Sequence, residues 1–536
     1  MRISLLDCTL RDGGYIVDWT FGSNTIINIY SRLKASGVDI IELGYLRAKD
    51  AFSPDRTSIP TVSDIARVYD TDMSGGPMKV AMIDLGVCGI ENICDQKDSV
   101  IDGIRLTFKK PRLEEAMEFA GSLKEKGYKL FLQPVSITDY TDEEYIHMIK
   151  RVNTLSPFAV SIVDTYGLMY QKEVFRYFRL LDKYLVPTAK IGYHPHNSFQ
   201  IAYANAMEIM QYPTERGVII DATVNGMGKD SGNACTELIA YFLNENMGSD
   251  YDVSYLEDII ATELNPIKER ATWGYSFIGF ISASNRCRTE YTKWLLGKKQ
   301  LSMKAINDIL SRIDPDKRTT AFHLDHIEKL YREYSMVDVN DEEDMAQLKA
   351  ELAGRSILLL APGSSIAANE DSIRRYVDEV SPIVISANHI PQSIRADYVF
   401  ISNNLRYGRM LHGLRKCRQP VGGAKPARVI ITSNIMPEED AADHRISYPR
   451  LTEDEAVEGN SMLLLLTLLK QLGITSAAVA GFDGFTADES GNYFDSYLRF
   501  DTDTHSGGEN ESIARAVKRI GVALDFLTPS LYKEFL

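Results

Sequence analysis

The chain has 536 residues, more than a single domain of roughly 100–200 residues requires and enough for two or three. Its 44% hydrophobic and 25% charged residues are those of a folded globular protein, which excludes fibrous and disordered classes. A formal charge of -15 argues against a nucleic-acid partner, because phosphate binding needs a basic surface.

The start, MRISLLDCTLRDGG, interrupts its apolar residues with Asp7 and Arg11, unlike the continuous apolar region of a signal peptide. The longest apolar run, Met462–Leu469, is too short to span a bilayer. A cytoplasmic protein with no membrane partner is therefore expected. Cys8, Cys88, Cys94, Cys235, Cys287 and Cys417 are scattered without a CxxC pair, so reduced thiols are expected.

From residue 3 to about 228, short β-rich runs alternate with helical patterns. The runs are ISLLDCTL, VDIIELGYL, KVAMIDLG, GIRLTF, KLFLQPVSI, AVSIVDTYGL, KIGYHPH and VIIDATVNG. Amphipathic stretches at 24–34, 113–126, 142–153 and 171–184 separate several of them. This alternation predicts an α/β fold, a (β/α)8 TIM barrel over residues 1–250 with functional groups at the C-terminal ends of its strands. Residues 251–336 read as a helical extension, and 337–354, opening on an acidic stretch, as a linker. A second alternation follows over 355–536, with SILLLAPGSS, PIVISANH, ADYVFISNN, ARVIITSN and SAAVAGFDG as strands. It predicts a separate doubly wound, Rossmann-like α/β domain.

His194 and His196 stand two apart at the end of the seventh run, and a period of two puts both on one face. At a barrel mouth that face points inward, where neutral imidazoles can ligate a divalent metal. Asp12, just past the first strand, supplies the carboxylate of a two-histidine, one-carboxylate set. The competing reading is a pair of hydrogen-bonded core histidines.

Three segments carry a family resemblance: DCTLRDGG at 7–14, HPHN at 194–197 and NGMGKDSGNACTE at 225–237. In order and spacing they resemble the signature segments of the DRE-TIM metallolyase superfamily, over roughly residues 1–300. Its members include 4-hydroxy-2-oxoacid aldolases, hydroxymethylglutaryl-CoA lyase, isopropylmalate synthase and homocitrate synthase. The resemblance implies Asp12, His194 and His196 as metal ligands, Asn233 beside the metal, and Arg11 as the cation that stabilises a developing enolate oxygen. It also implies that Glu42, in IIELG, orients Arg11.

The implied chemistry makes or breaks a carbon–carbon bond through a metal-chelated pyruvate enolate. Negative charge must build on the C2 oxygen of a 2-oxoacid, where a Lewis acid and Arg11 stabilise it. Oxygen and imidazole donors without thiolate favour Mn2+ or Mg2+, with Zn2+, Co2+ and Fe2+ also compatible. Three residues after the metal aspartate, the aldolases place histidine and the acyl-CoA enzymes glutamine, whereas this chain has Tyr15. A phenol with an ordinary pKa of about 10 is a poor base near neutrality, so proton transfer and substrate packing stay open as its roles. Tyr45, Arg105, Asp164 and Tyr166 lie near other strand ends, as pocket residues or as ordinary rim structure.

Two enzyme readings follow: an aldolase releasing pyruvate from a 2-oxoacid with an aldehyde as the other partner, and a Claisen-type synthase taking an acyl-CoA. The aldolase is preferred, because RDGGY and the stretch WGYSFIGFISASNRCRTEYTKWLLGKKQLS resemble aldolases of bacterial surface-polysaccharide clusters. That implies a place in carbohydrate metabolism. A homo-oligomer is expected.

In the second domain, APGSS at 361–365 follows an apolar strand and precedes a helical pattern, where backbone amides can hold a phosphate. With ISANH, DYVFISNN, EGNSMLLLLTLLKQLG and VAGFDGF it remotely resembles bacterial sialyltransferases and related pterin diphosphokinase-like domains. The resemblance implies nucleotide or nucleotide-sugar binding near Gly363, Ser364, Ser365 and Asn388, with Asn403, Ser461 and Asp483 as further contacts. A bifunctional chain with glycosyltransferase-like activity and a non-catalytic domain kept for assembly are the alternatives. Asp501, Asp503 and His505 form either a metal-binding run or a solvated loop.

Overall fold

A computed structural model describes residues 3–69, 73–298, 301–319, 321–391, 393–419, 425–436, 442–452, 458–486, 492–493 and 509–536. The chain forms two compact units, 1–289 with 318–320, and 290–317 with 321–536.

The first unit is built on eight parallel strands: β1 (Ile3–Asp7), β2 (Ile40–Leu46), β3 (Met78–Asp84), β4 (Gly103–Phe108), β5 (Lys129–Pro134), β6 (Ala159–Asp164), β7 (Lys190–Pro195) and β8 (Val218–Ala222). Each pairs with the next, and β1 pairs with both β8 and β2, so the sheet closes into a TIM barrel. Strand residues alternate between two apolar layers, as a period of two requires. Leu6, Ile40, Val80, Phe131, Ala159 and Ile219 fill the barrel interior. Leu5, Ile41, Ala81, Ile104, Leu132 and Ile220 instead pack outward under the helices.

One irregularity shapes the mouth. In β2 the register slips between Glu42 and Tyr45, so Glu42 lies opposite Val80 and Tyr45 opposite Met82. This β-bulge turns both side chains inward, where strict alternation would put them on opposite faces. Gly44 sits at the slip with φ of +158°, and a Cβ there would collide with the Thr57 carbonyl.

The second unit holds seven parallel strands: β9 (Ile357–Leu360), β10 (Ile383–Ala387), β11 (Tyr398–Ile401), β12 (Arg428–Thr432), β13 (His444–Ile446), β14 (Ser476–Ala480) and β15 (Ala523–Phe526). Their order is β13-β12-β11-β10-β9-β14-β15. Leu358, Leu360, Val399 and Ile401 pack into one core, and Ile357, Leu359, Tyr398 and Phe400 into another, so both faces are covered, as in a doubly wound fold.

The stretch expected as one helical extension is shared between the units: helices Val253–Ile259 and Phe277–Ser284 fall in the first, Met303–Ser311 and Leu324–Ser335 in the second. Residues 337–354, expected as a linker, contain the helix Glu342–Leu352. Met345, Leu348 and Leu352 form an apolar stripe on it that packs into the second core, so this acidic stretch is a structural layer of the second unit. Among the described residues no helix is long and apolar enough to cross a membrane.

Candidate active site

The candidate metal centre lies at the C-terminal mouth of the barrel. Asp7, at the end of β1, accepts hydrogen bonds from the Thr9 amide (2.9 Å), the Thr9 hydroxyl (3.0 Å) and the Thr236 hydroxyl (2.6 Å). Those bonds lock a helical turn, Thr9–Asp12, that delivers Arg11 and Asp12 into the mouth. His194 closes β7 and His196 follows it. One ligand atom from each of Asp12, His194 and His196 lies within 4.8 Å of the others. Nε2 of His194 is 3.3 Å from Asp12 Oδ2, and Nε2 of His196 is 3.9 Å from it.

Both imidazoles are held from behind. His194 Nδ1 lies 3.0 Å from Asp221 Oδ2, and His196 Nδ1 lies 2.8 Å from the Asp164 carbonyl oxygen. Donation from Nδ1 leaves Nε2 on both rings turned to Asp12, the tautomer that metal ligation needs. Burial and the neighbouring His194 push the His196 pKa down to about 4, which keeps that ring neutral. Burial alone would raise the Asp12 carboxyl, but the Arg11 guanidinium and His194 overcome it and hold it well below the usual carboxylate range.

Asn233 joins the cluster from the third signature segment. Its Nδ2 donates to Asp12 Oδ2 at 3.0 Å, and its buried Oδ1 has no partner among the described residues. Backbone bonds from Asn197 to Gly232 (2.9 Å) and from Ala234 to Pro195 (3.3 Å) tie this loop to the histidine segment, and one from Asn233 to Gly226 (3.1 Å) closes the loop on itself. Gly232 has φ of +69°, and a Cβ there would strike the Gly226 carbonyl, so glycine is required at that step.

Behind the ligands runs a buried charge network. Arg11 donates from Nε to Glu42 Oε2 at 2.7 Å and pairs with Asp12 at 3.2 Å. Glu42 in turn meets Arg105 Nη1 at 3.0 Å, and Arg105 pairs with Asp221. Arg11 Nη2 is buried without a partner among the described residues. A fixed cation with one free donor beside a hard-ligand cluster suits an oxygen that gains negative charge.

Two residues expected in the substrate pocket have other duties. Arg105 is fully buried between Glu42 and Asp221, because two carboxylates in the barrel interior need a cation between them. The Asp164 carboxylate turns away and accepts from the Leu168 and Met169 amides, both at 3.1 Å; only its carbonyl reaches the site. Tyr45 does lie in the mouth, donating to Asp84 Oδ2 at 2.6 Å. Tyr166 stands with its hydroxyl 3.3 Å from that of Ser136 and 3.5 Å from the Thr319 carbonyl. Tyr15 packs edge-on against Trp19, ring centroids 4.7 Å apart. Desolvation around its hydroxyl, then the charge of Asp84, raise its pKa above the ordinary value, although the side chain as a whole is 43% exposed.

Asp221 and Asp84 escaped the sequence reading, although each is a carboxylate inside an apolar strand run, VIIDA and KVAMID. Cys8, His194 and Asp221 form a second possible ligand group. Arg105 already occupies Asp221, and burial holds the Cys8 thiol well above its usual value, so this group serves as support.

In the second unit a cavity of about 630 Å3 opens where the strand order reverses between β9 and β14, the usual ligand crevice of such a sheet. Gly363, Asn388, Asn403, Ser461 and Asp483 line it. The expected phosphate cradle is filled by the protein itself: Asp483 accepts from both the Ser365 amide (2.8 Å) and the Ser365 hydroxyl. Ser364 begins a helix of only four residues. Asn388 has φ of +55° and binds the Ser402 amide at 3.0 Å and the Ser461 hydroxyl. Asp501, Asp503 and His505 lie outside the described residues.

A closed TIM barrel with two histidines and a carboxylate converging at its mouth defines a class: a barrel enzyme with a candidate metal centre. Residues 107–262 match the HMGL-like family model. Over 235 residues the chain is 23% identical to an oxaloacetate decarboxylase of Mycobacterium tuberculosis, covering 44% of this chain and 68% of that protein. It is 25% identical over 262 residues to a 4-hydroxy-2-oxovalerate aldolase of Geobacillus genomosp. 3, covering 49% and 76%. It is also 25% identical over 258 residues to a 2-isopropylmalate synthase of Sulfolobus acidocaldarius, covering 47% and 64%, just under two thirds of that enzyme. Within the first unit, residues 107–262 thus resemble the HMGL-like family, and Asp12, His194 and His196 are placed so that they could hold a metal ion. The three relatives are named for a decarboxylase, an aldolase and a synthase, so the class is common to them and the reaction is not.

Proposed function

We propose that the first unit is a divalent-metal-dependent aldolase that cleaves a 4-hydroxy-2-oxoacid to pyruvate and an aldehyde, or runs the reverse. One observation carries this reading: in two residues that contact Asp12 of the Asp12, His194 and His196 cluster, the Asn233 Oδ1 and the Arg11 Nη2 are buried with no hydrogen-bond partner among the described residues. A buried polar atom without a partner is costly, and an ion and a substrate oxygen would satisfy these two. The donor set fits a divalent ion held by Asp12, His194, His196 and Asn233, with Mn2+ or Mg2+ preferred by its hard oxygen and imidazole donors. When bound, the ion supplies a Lewis acid at the 2-oxo group.

The chain's own residues do the rest. Arg11 places a fixed positive charge beside the C2 oxygen, where negative charge collects as the C3–C4 bond breaks. Glu42, buried and 2.7 Å from Arg11 Nε, fixes the guanidinium plane, and Arg105 holds Glu42. Asp221 and the Asp164 carbonyl keep the two imidazoles in ligating orientation.

Incubation with Mn2+ or Mg2+ and racemic 4-hydroxy-2-oxoacids, with lactate dehydrogenase reporting pyruvate, tests the reading. Pyruvate release supports it. No pyruvate, with thiol release from acetyl-CoA and a 2-oxoacid, would replace it with the synthase reading that the isopropylmalate synthase match favours. For the second unit, the crevice between β9 and β14 supports a ligand-binding role. Thermal shifts with CMP, GDP and UDP sugars test it, and silence across the panel favours a purely structural domain.

A further inference from the structure

Cleavage of a 4-hydroxy-2-oxoacid needs a base for the C4 hydroxyl proton, and Tyr15, standing where the aldolases have histidine, is a phenol whose ordinary pKa of about 10 makes it a poor base near neutrality. The far wall of the mouth offers a better one. Asp84 ends β3, Thr107 lies on β4 and Gln133 on β5, and the register sets Asp84 opposite Thr107 and Thr107 opposite Gln133. All three face the barrel interior by alternation. Val80 and Phe131, two or four residues earlier, belong to the inner core, and Arg105, two before Thr107, reaches inward to Glu42 and Asp221.

Asp84 is half-buried and accepts from Tyr45 at 2.6 Å and from the Thr107 hydroxyl. Those two bonds leave lone pairs free on both carboxylate oxygens. Trp19 donates to the Arg11 carbonyl at 3.0 Å and packs on Tyr45, ring centroids 5.6 Å apart, and Tyr45 reaches Asp84, so the carboxylate and the candidate metal centre share one mouth. Gln133 is only 2% exposed, and its Nε2 has no partner among the described residues. A buried amide donor kept unpaired on the same inward row as the carboxylate, with Thr107 between them, is an arrangement that folding alone does not favour.

We propose that Asp84 is the general base for the C4 hydroxyl and that Gln133 donates a hydrogen bond to the same oxygen. The hydroxyl hydrogen passes to an Asp84 carboxylate oxygen. The C3–C4 bond breaks, its electron pair moves to C3 as the pyruvate enolate, and C4–O becomes an aldehyde carbonyl that keeps the Gln133 bond. A proton from solvent then goes to C3, giving pyruvate, and the Asp84 carboxyl loses its proton to solvent, restoring the carboxylate. The proposal rests on the aldolase reading and goes beyond it by naming the proton acceptor.

The test compares reactions that share the enolate but differ in the hydroxyl. In the full-length protein with Mn2+, Asp84→Asn keeps an acceptor oxygen for one of its two donors, Tyr45 or Thr107. It should lower cleavage of 4-hydroxy-2-oxovalerate by about 10^2–10^4-fold. Decarboxylation of oxaloacetate has no hydroxyl to deprotonate, so it and the Kd of pyruvate by calorimetry should stay within about threefold. Gln133→Met, of similar volume, should lower cleavage by about tenfold with the same two readouts unmoved. Parallel loss of cleavage and decarboxylation, or of cleavage and pyruvate affinity, would overturn the assignment and leave the aldolase reading standing. Full cleavage in Asp84→Asn would overturn it too. A wild-type protein that cleaves no 4-hydroxy-2-oxoacid would overturn both.

Discussion

The barrel mouth and the turn after β9 each carry a short polar motif at the end of a parallel strand, yet they end in opposite states. In the barrel, Asn233 Oδ1 and Arg11 Nη2 are buried without partners among the described residues, beside three candidate ligands. At the turn after β9, the donors that would hold a phosphate, the Ser365 amide and hydroxyl, already bind Asp483. The difference teaches that a motif marks a binding site only when the folded chain leaves its polar groups to an outside partner. The second unit still has its crevice, but a ligand there would meet Asn388, Asn403, Ser461 and Gly363, and not Ser364 or Ser365.

The sharpest way to break this contrast is to remove a ligand from the barrel. His194→Ala should abolish stoichiometric metal, read by elemental analysis, and lower activity by about 10^3-fold or more. Unchanged metal content would remove the ligand set. Next comes the turn that aims Asp12. Burial, against the hydrogen bonds from Thr236 and Thr9, raises the Asp7 carboxyl from its ordinary value to about 6. A raised carboxyl gives stability that is full below the unfolded pKa, about 4, and is lost as pH rises through about 6. Denaturation of wild type should therefore lose about 3 kcal/mol relative to Asp7→Asn between pH 4 and pH 7. A constant difference across that range would show that Asp7 does not titrate there.

A smaller effect should come from the support behind His194. Asp221→Asn leaves the ligands in place but weakens the hold on Nδ1, so metal affinity should fall by about 10–100-fold, read by competition with a chelator. Least of all, Asp483→Ala should cost the second unit about 1–2 kcal/mol of stability by leaving the Ser365 donors unpaired. If inorganic phosphate then raises its melting temperature while leaving wild type unmoved, the turn is a phosphate cradle that Asp483 closes. Without such a shift, the turn is purely structural.

Much of the barrel was legible in the chain. Eight β-rich runs end on or near polar residues, and HPH and LRDG stand at strand ends, where side-chain period and strand direction alone turn them to the mouth. Arg105 and Asp164 were misplaced for a common reason. A polar residue at a strand end reads the same whether it meets substrate or closes a buried charge network, and only its partners separate the two. Asp84 and Asp221 were missed because a single carboxylate in an apolar run carries no spacing pattern.

The sequence by itself determined the closed α/β architecture of the first unit and the convergence of Asp12, His194 and His196. Those follow from periodicities of two and 3.6 residues, and local sterics enforce them. Tertiary structure alone decided the rest. The slip in β2 turns Tyr45 inward against alternation, the helix Glu342–Leu352 joins a core instead of linking domains, and Asp483 reaches Ser365 across 118 residues of chain. Each depends on which groups meet across strands, a matter of packing and pairing between segments far apart in the chain.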